Sequence, residues 1–205
     1  GRRWWLVDPE GCGFFSAGLD CVSPKVPCAL VPGTEKLLAG KPQSDARLAA
    51  AVAARGPWGY PAFDFGIANL IRGFGDAWQG EWEAITTRRL HQWRFNTIAN
   101  WSDVSYARRS AVPYVMPMPA YPTTEVKLFR DLPDVYDPAF EQAAEKYAQH
   151  LEAFRDDPYL IGYFLANEPG WAFGKFNLAS ELLEASPGSH TRAARRKFAR
   201  ERYPG

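Results

Sequence analysis

The chain has 205 residues, and 24 Lys and Arg stand against 23 Asp and Glu, a formal net charge of +1. That balance argues against a polybasic face for nucleic acid or an anionic membrane, and no run approaches 18 uninterrupted apolar residues, as a transmembrane helix requires. The length suffices for one sizeable core; its 8 Trp, 9 Tyr and 13 Phe are expected mostly inside it, although aromatic faces also make platforms for sugar rings.

Trp4-Trp5-Leu6-Val7, then Asp8-Pro9-Glu10-Gly11, then Phe14 to Val22 read as strand, turn and strand, the tetrapeptide being favourable type I turn chemistry. Residues 23–43 are proline-rich and aperiodic, hence loop. Ser44 is expected to cap a short helix from Asp45 to Ala54, and residues 56–78, rich in Gly, Pro and aromatics, read as a long loop. Trp82, Ile85, Leu90 and Trp93 mark one face of a helix. Phe95 to Ala99 is a short strand ending at Asn100-Trp101-Ser102-Asp103, and Val112 to Met118 is the next strand, with a loop between them.

Asp137 caps the following helix with Pro138 at its first position. Phe140, Ala144, Tyr147, Leu151 and Phe154 step along it as a core-facing stripe, and Asp156-Asp157-Pro158 ends it. Tyr159 to Ala166 is an apolar strand running into Asn167-Glu168-Pro169. Glu181, Glu184 and Glu201 fall on solvated helix surface, and the basic stretch from Arg192 to Arg202 is alternately apolar through Ala193, Phe198 and Ala199, so it reads as a helix face rather than a nucleic-acid patch. Cys12, Cys21 and Cys28 form no CxxC; they allow one disulfide or three buried thiols. His91 and His150 lie on helices and His190 at a turn or helix start, none at metal-ligand spacing.

Alternating strands and helices predict an α/β fold with a parallel sheet. Polar residues collect after the strands: Asp20, then Asn100 with Ser102 and Asp103, then Asn167 with Glu168. Chemistry at the C-terminal ends of parallel strands belongs to (β/α)8 barrels and open α/β sheets, and the chain has no GxGxxG, P-loop, GxSxG or HExxH. Pro169 is expected to hold Glu168 extended. Strand alternation then places Gly162, Phe164, Ala166 and Glu168 on one face, and Asn167 needs a bulge to join them. A carboxyl walled by aromatics there favours its protonated form, as a general acid requires. The plain alternative is a strand-end Glu paired to an Arg.

Asn167-Glu168-Pro169 resembles the acid/base motif of the large (β/α)8 clan of retaining glycoside hydrolases. Trp4 to Gly11 with Phe14-Phe15-Ser16, Phe95 to Asp103, Asp134 to Phe140 and Ile161 to Phe164 resemble, in order, the beta-agarase-like and beta-galactosidase-like members. The resemblance implies an α/β fold of roughly the first four β/α units of a (β/α)8 (TIM) barrel with long loops. Residues 1–205 would be the N-terminal half of a catalytic domain, with the nucleophile outside the chain and no turnover from this piece alone. It implies a carbohydrate substrate, Glu168 as acid/base, Asn167 binding the hydroxyl beside the anomeric carbon, and Asn100, Trp101, Trp171 and Phe173 as candidate sugar contacts. It implies no cofactor and no nucleic-acid or membrane partner, leaves the oligomeric state open, and is compatible with a secreted or periplasmic location. The alternatives are a non-catalytic carbohydrate-binding or degenerate-barrel domain, and a beta-galactosidase or endoglucanase of the same clan.

Overall fold

The computed structural model describes residues 3–34, 37, 44–56, 59–172, 178–184 and 188–203, which fall in two compact units, Gly1–Tyr114 and Val115–Gly205. The first unit opens with an antiparallel hairpin of β1 (Leu6–Val7) and β2 (Gly13–Phe14). The predicted turn closes it: Gly11 N–H donates to the Asp8 carbonyl at 3.0 Å and Cys12 N–H to the Asp8 carboxylate at 2.7 Å. The predicted second strand breaks after Phe14. Its remainder forms β3 (Gly18–Leu19), because Asn96 takes hold of it from the side: Asn96 Oδ1 accepts Ala17 N–H at 2.8 Å and Asn96 Nδ2 donates to the Phe15 carbonyl at 2.9 Å.

The stretches expected to be loop carry more structure than their composition predicts. β4 (Pro27–Ala29) and β5 (Val52–Ala53), the latter replacing the end of the helix expected to Ala54, flank β6 (Ala62–Asp64) in an antiparallel sheet. The expected helix after Ser44 is a 3-10 helix, Ala46–Ala51, and its cap is Asp45, which accepts Arg47 N–H at 3.0 Å. α1 (Phe65–Phe74) occupies the supposed loop at 56–78. Asp64 caps it through Ile67 N–H at 2.9 Å, and Ile67 and Ala68 pack with Leu48, Ala51 and Phe63. That burial outweighs the poor helix propensity of Gly66 and Gly73, each worth about 1 kcal/mol.

α2 (Trp78–Gln92) follows as predicted, then β7 (Thr97–Ile98), which runs parallel to β3. The supposed loop after it holds α3 (Val104–Arg109), capped by Asp103 and anchored by the buried Tyr106, whose ring meets Trp82 at 4.9 Å between centroids. β8 (Tyr114–Pro117) begins opposite Ile98, again parallel. The β3–β7 pair is close: a Cβ on Gly18 would overlap the Thr97 carbonyl oxygen, so only glycine fits there.

In the second unit, β9 (Lys127–Phe129) and β10 (Leu132–Pro133) make an unforeseen antiparallel hairpin. α4 (Pro138–Ala148) starts at the predicted Asp137 cap and runs on as a 3-10 turn to Phe154. β11 (Leu160–Phe164) neighbours β8, with Met118 N–H donating to the Phe164 carbonyl at 2.9 Å. α5 (Leu178–Glu184) and α6 (His190–Arg202) complete the unit. The α6 N-terminus is seated on the fully buried Asp134 carboxylate, which accepts His190 N–H at 2.6 Å and Thr191 N–H at 3.0 Å. These are charge-assisted bonds to the positive end of a helix.

Three expectations on burial fail. Trp4, Trp5, Phe15, Trp93 and Tyr136 are exposed rather than core. All three cysteines are free and exposed. β11, expected apolar on two buried faces, is only half-buried. Among the described residues, no helix is long and apolar enough to cross a membrane.

Candidate active site

β11 stops at Phe164, two residues before the predicted strand end, so strand alternation does not carry through to Glu168. The chain bends away at Leu165, whose carbonyl accepts the Tyr147 hydroxyl from α4 at 2.7 Å. Burial, and then the neighbouring Tyr121, push the Tyr147 phenol above its ordinary pKa, which keeps it a donor. Glu168 is not extended: its φ is +40°. Proline disfavours the right-handed helical region for the residue before it, and the bend takes the left-handed alternative. Such backbone in a non-glycine residue costs of order 1–3 kcal/mol and gathers at functional sites.

An open cleft of about 510 Å³ lies beside this bend. Asn167, Pro169 and Trp171 line it with Tyr121, Ala166 and Asp131. Asn167 therefore reaches the site without a bulge, because the strand has already ended. Glu168 lies between two lining residues but does not itself line the cleft, and it is exposed rather than walled by aromatics. Trp171 and Tyr121 present partly exposed rings, 37% and 47% accessible, as a sugar platform needs. The Tyr121 ring is propped by Tyr147 at 6.1 Å and Phe140 at 6.5 Å. Phe173 lies outside the described residues.

Asp131 brings a carboxylate to the cleft, and both of its oxygens are engaged: Oδ2 accepts Gly170 N–H at 2.7 Å and Oδ1 accepts Trp171 N–H at 2.8 Å. The Gly170 bond, then that of Trp171 and the adjoining Arg130 guanidinium, hold this carboxyl below the usual Asp value. Neither Tyr121 nor Asp131 was anticipated. Tyr121 lies just past β8, the same strand-end position that marks the other polar clusters; Asp131 acts across a sequence separation of 39 or 40 residues and has no local signal.

Asn100 and Trp101 belong to the first unit, just past β7. Trp101 is half-exposed with φ +58°, and Cys21, past β3, has φ +56°. The two strand-end turns are stitched together: Cys21 N–H donates to the Asn100 carbonyl, Val22 N–H to Ser102 Oγ and Asp103 N–H to the Val22 carbonyl, each at 2.9 Å. Burial pushes the Asp103 carboxyl up, but the Ser105 hydroxyl, the Tyr106 N–H and the charge of Lys25 together outweigh it and leave the carboxyl below its usual value. Asn100 is 5% exposed, and among the described residues its carboxamide has no hydrogen-bond partner, a condition worth about 1–3 kcal/mol against folding. Among the described residues, no group of three His, Cys, Asp or Glu converges as a metal site.

No family model matches the chain. It is 27% identical over 195 residues to Beta-agarase A of Vibrio sp. (strain JT0107), covering 82% of this chain and 19% of that protein. It is 24% identical over 205 residues to Beta-agarase B of the same organism, covering 82% and 21%. The solved structure of an exo-beta-agarase superposes with a TM-score of 0.78 at 22% identity, over 98% of this chain and 35% of that one. The chain is thus similar in sequence to beta-agarases and has an agarase-like fold, and it spans about a fifth of the curated relatives it matches and about a third of the solved chain.

Proposed function

We propose that this chain carries the acid/base side of a retaining glycoside hydrolase acting on an agarose-type polysaccharide. Glu168 protonates the glycosidic oxygen and then deprotonates the incoming water. Asn167 binds the hydroxyl beside the anomeric carbon. Trp171 stacks on a sugar ring, and within the first unit the half-exposed Trp101 ring offers a sugar platform of its own. A retaining mechanism also needs a nucleophilic carboxylate about 5–5.5 Å from the acid/base. Asp131 is unsuited to that part, since both of its oxygens are occupied by backbone N–H groups. We assign the nucleophile to sequence outside this chain, and we read the chain's elements as roughly the first four β/α units of a (β/α)8 barrel.

The observation that carries this reading is the pairing of a left-handed Glu168 with an aromatic-walled cleft at the exit of β11, in a chain similar to agarases. The test is Glu168→Gln in the active protein, assayed on agarose oligosaccharides with the anomer of the first product followed by NMR. Removing a general acid is expected to lower turnover by about 10²–10⁴-fold, with the wild type releasing product of retained configuration. Unchanged turnover would overturn the assignment. One observation favours the second reading, a carbohydrate-binding domain without catalysis: the cleft is lined by Tyr121 and Trp171 but not by Glu168. Oligosaccharide binding with no turnover in any form of the protein would establish it.

A further inference from the structure

The loop that carries Asn167, Glu168 and Trp171 is gripped at both ends by elements remote in sequence. At its start the Tyr147 hydroxyl holds the Leu165 carbonyl. At its far end the two-residue tip of the β9–β10 hairpin, Arg130-Asp131, takes hold of Gly170 from both sides. Asp131 accepts the Gly170 N–H and, with its other oxygen, the Trp171 N–H, while Arg130 Nη1 donates to the Gly170 carbonyl at 3.0 Å. The fit is close: a Cβ on Gly170 would stand 2.9 Å from Asp131 Oδ1, nearer than real Cβ atoms come to other heavy atoms.

The tip is itself strained. Arg130 has φ +52° at a hairpin position where glycine or asparagine folds most easily. A residue kept there against backbone preference calls for a use, and its guanidinium reaches the loop. As plain stability the clamp is weak, because Arg130 and Asp131 are exposed and water competes for every bond. As a geometric constraint it is strong, since three bonds from adjacent residues converge on Gly170 and its neighbour and set the direction in which Trp171 leaves the chain.

We propose that Arg130 and Asp131 are positioning residues that fix the Gly170–Trp171 turn, and so hold the Trp171 ring against the sugar in the cleft. The proposal rests on the reading of this cleft as a carbohydrate site, but not on Glu168 being the acid/base. Without the clamp the turn samples other directions and the ring is in place only part of the time, so apparent affinity falls by that fraction.

The test is a double-mutant cycle on affinity for an agarose oligosaccharide, measured by calorimetry in the active protein. Asp131→Ala and Gly170→Ala are each expected to weaken binding about tenfold. The double variant is expected to bind no worse than the weaker single one, because Asp131→Ala removes the atom that the new Cβ meets. A purely structural role would move the melting temperature while leaving the affinity of the folded protein alone. Glu168→Gln in the same assay is expected to keep affinity and lose turnover, so retained turnover there breaks the acid/base assignment without touching the clamp. Unchanged affinity in Asp131→Ala, or losses that simply add in the double variant, would overturn the proposal. Should Asp131→Ala not fold, Arg130→Ala, which removes one exposed hydrogen bond to Gly170, takes its place, with about threefold weaker binding expected and unchanged affinity again decisive against it.

Discussion

The strand-end turns of the two units solve the same problem by opposite means. Cys21 and Trp101 past β3 and β7, and Glu168 past β11, all take positive φ without being glycine. In the first unit the turns hold one another: backbone bonds run between residues 21–22 and 100–103, and Asn100 is sealed inside. Among the described residues of the second unit, the turn shows no such stitching to a neighbouring strand-end turn. Its grip comes from Tyr147 on α4 and from the hairpin tip at Arg130-Asp131. A turn stitched to its neighbour is stiff and hard to adjust. One tethered from outside leaves its side chains exposed to a ligand, and its geometry can be tuned by residues that never touch the reacting atoms.

The largest expected effect that separates the two regions is at their strand glycines. Gly18 in β3 faces the Thr97 backbone, which cannot move aside without breaking the β3–β7 pair, whereas a Cβ on Gly162 in β11 would meet nothing within 4 Å. Gly18→Ala is expected to destabilise by about 1–3 kcal/mol through overpacking. Gly162→Ala should lie within about 0.5 kcal/mol of wild type. Chemical denaturation of both variants checks this, and equal effects would mean that the first unit is no more tightly built than the second.

A smaller effect sharpens the account of the turns themselves. Relief of left-handed strain is worth about 1–2 kcal/mol, and added chain entropy in the unfolded state takes back about 0.5–1 kcal/mol. Glu168→Gly and Cys21→Gly are therefore each expected to stabilise by about 0.5 kcal/mol, read from the same denaturation curves. A loss of stability in Glu168→Gly would show that its side chain, not its backbone, shapes the bend.

What could be read in advance divides along similar lines. The α4 start was legible because Asp137 and Pro138 act within one turn of the chain. The first hairpin was legible because Asp8 and Gly11 close it locally. α1 was hidden because two glycines dilute its stripe, and only the packing of Ile67 and Ala68 on Leu48 and Phe63 makes it a helix. α3 is hidden because Asp103 follows β7 like a strand-end polar residue, while its carboxylate in fact caps the helix through Tyr106 N–H. At the site, Asn167-Glu168-Pro169 stood out as a motif, but the rule that proline keeps its predecessor extended gave the wrong geometry for Glu168. The bend that follows the early end of β11 decided it instead. The hairpin tip at Arg130-Asp131 could not be found by any local pattern, since its meaning lies in a loop some 40 residues away.

The smallest effect concerns pH, and it compares the two carboxylates that secure these turns. Asp103 caps α3 in the first unit and Asp131 holds Gly170 and Trp171 in the second, and both carboxyls lie below their usual value. A carboxylate depressed in the folded state contributes stability that is present above its unfolded pKa, about 3.9, and is lost as pH falls through the lower folded value. Neither tie is therefore expected to change between pH 8 and about pH 5, and both are released in acid below about pH 4. The reporters are the amide resonances of Tyr106, Gly170 and Trp171 in an acid titration followed by NMR. Each should move with a midpoint below that of an ordinary Asp. The consequences should then differ. Protonated Asp103 remains partly covered by its turn, whose backbone bonds to residues 21–22 keep the Tyr106 region folded. Protonated Asp131 leaves Gly170 with only the Arg130 bond to its carbonyl among its ties to the hairpin tip, so the Trp171 turn should loosen at a pH where the first unit is still intact. Gly170 and Trp171 amides that titrate with an ordinary or raised midpoint would show that the hairpin tip does not hold the turn in solution.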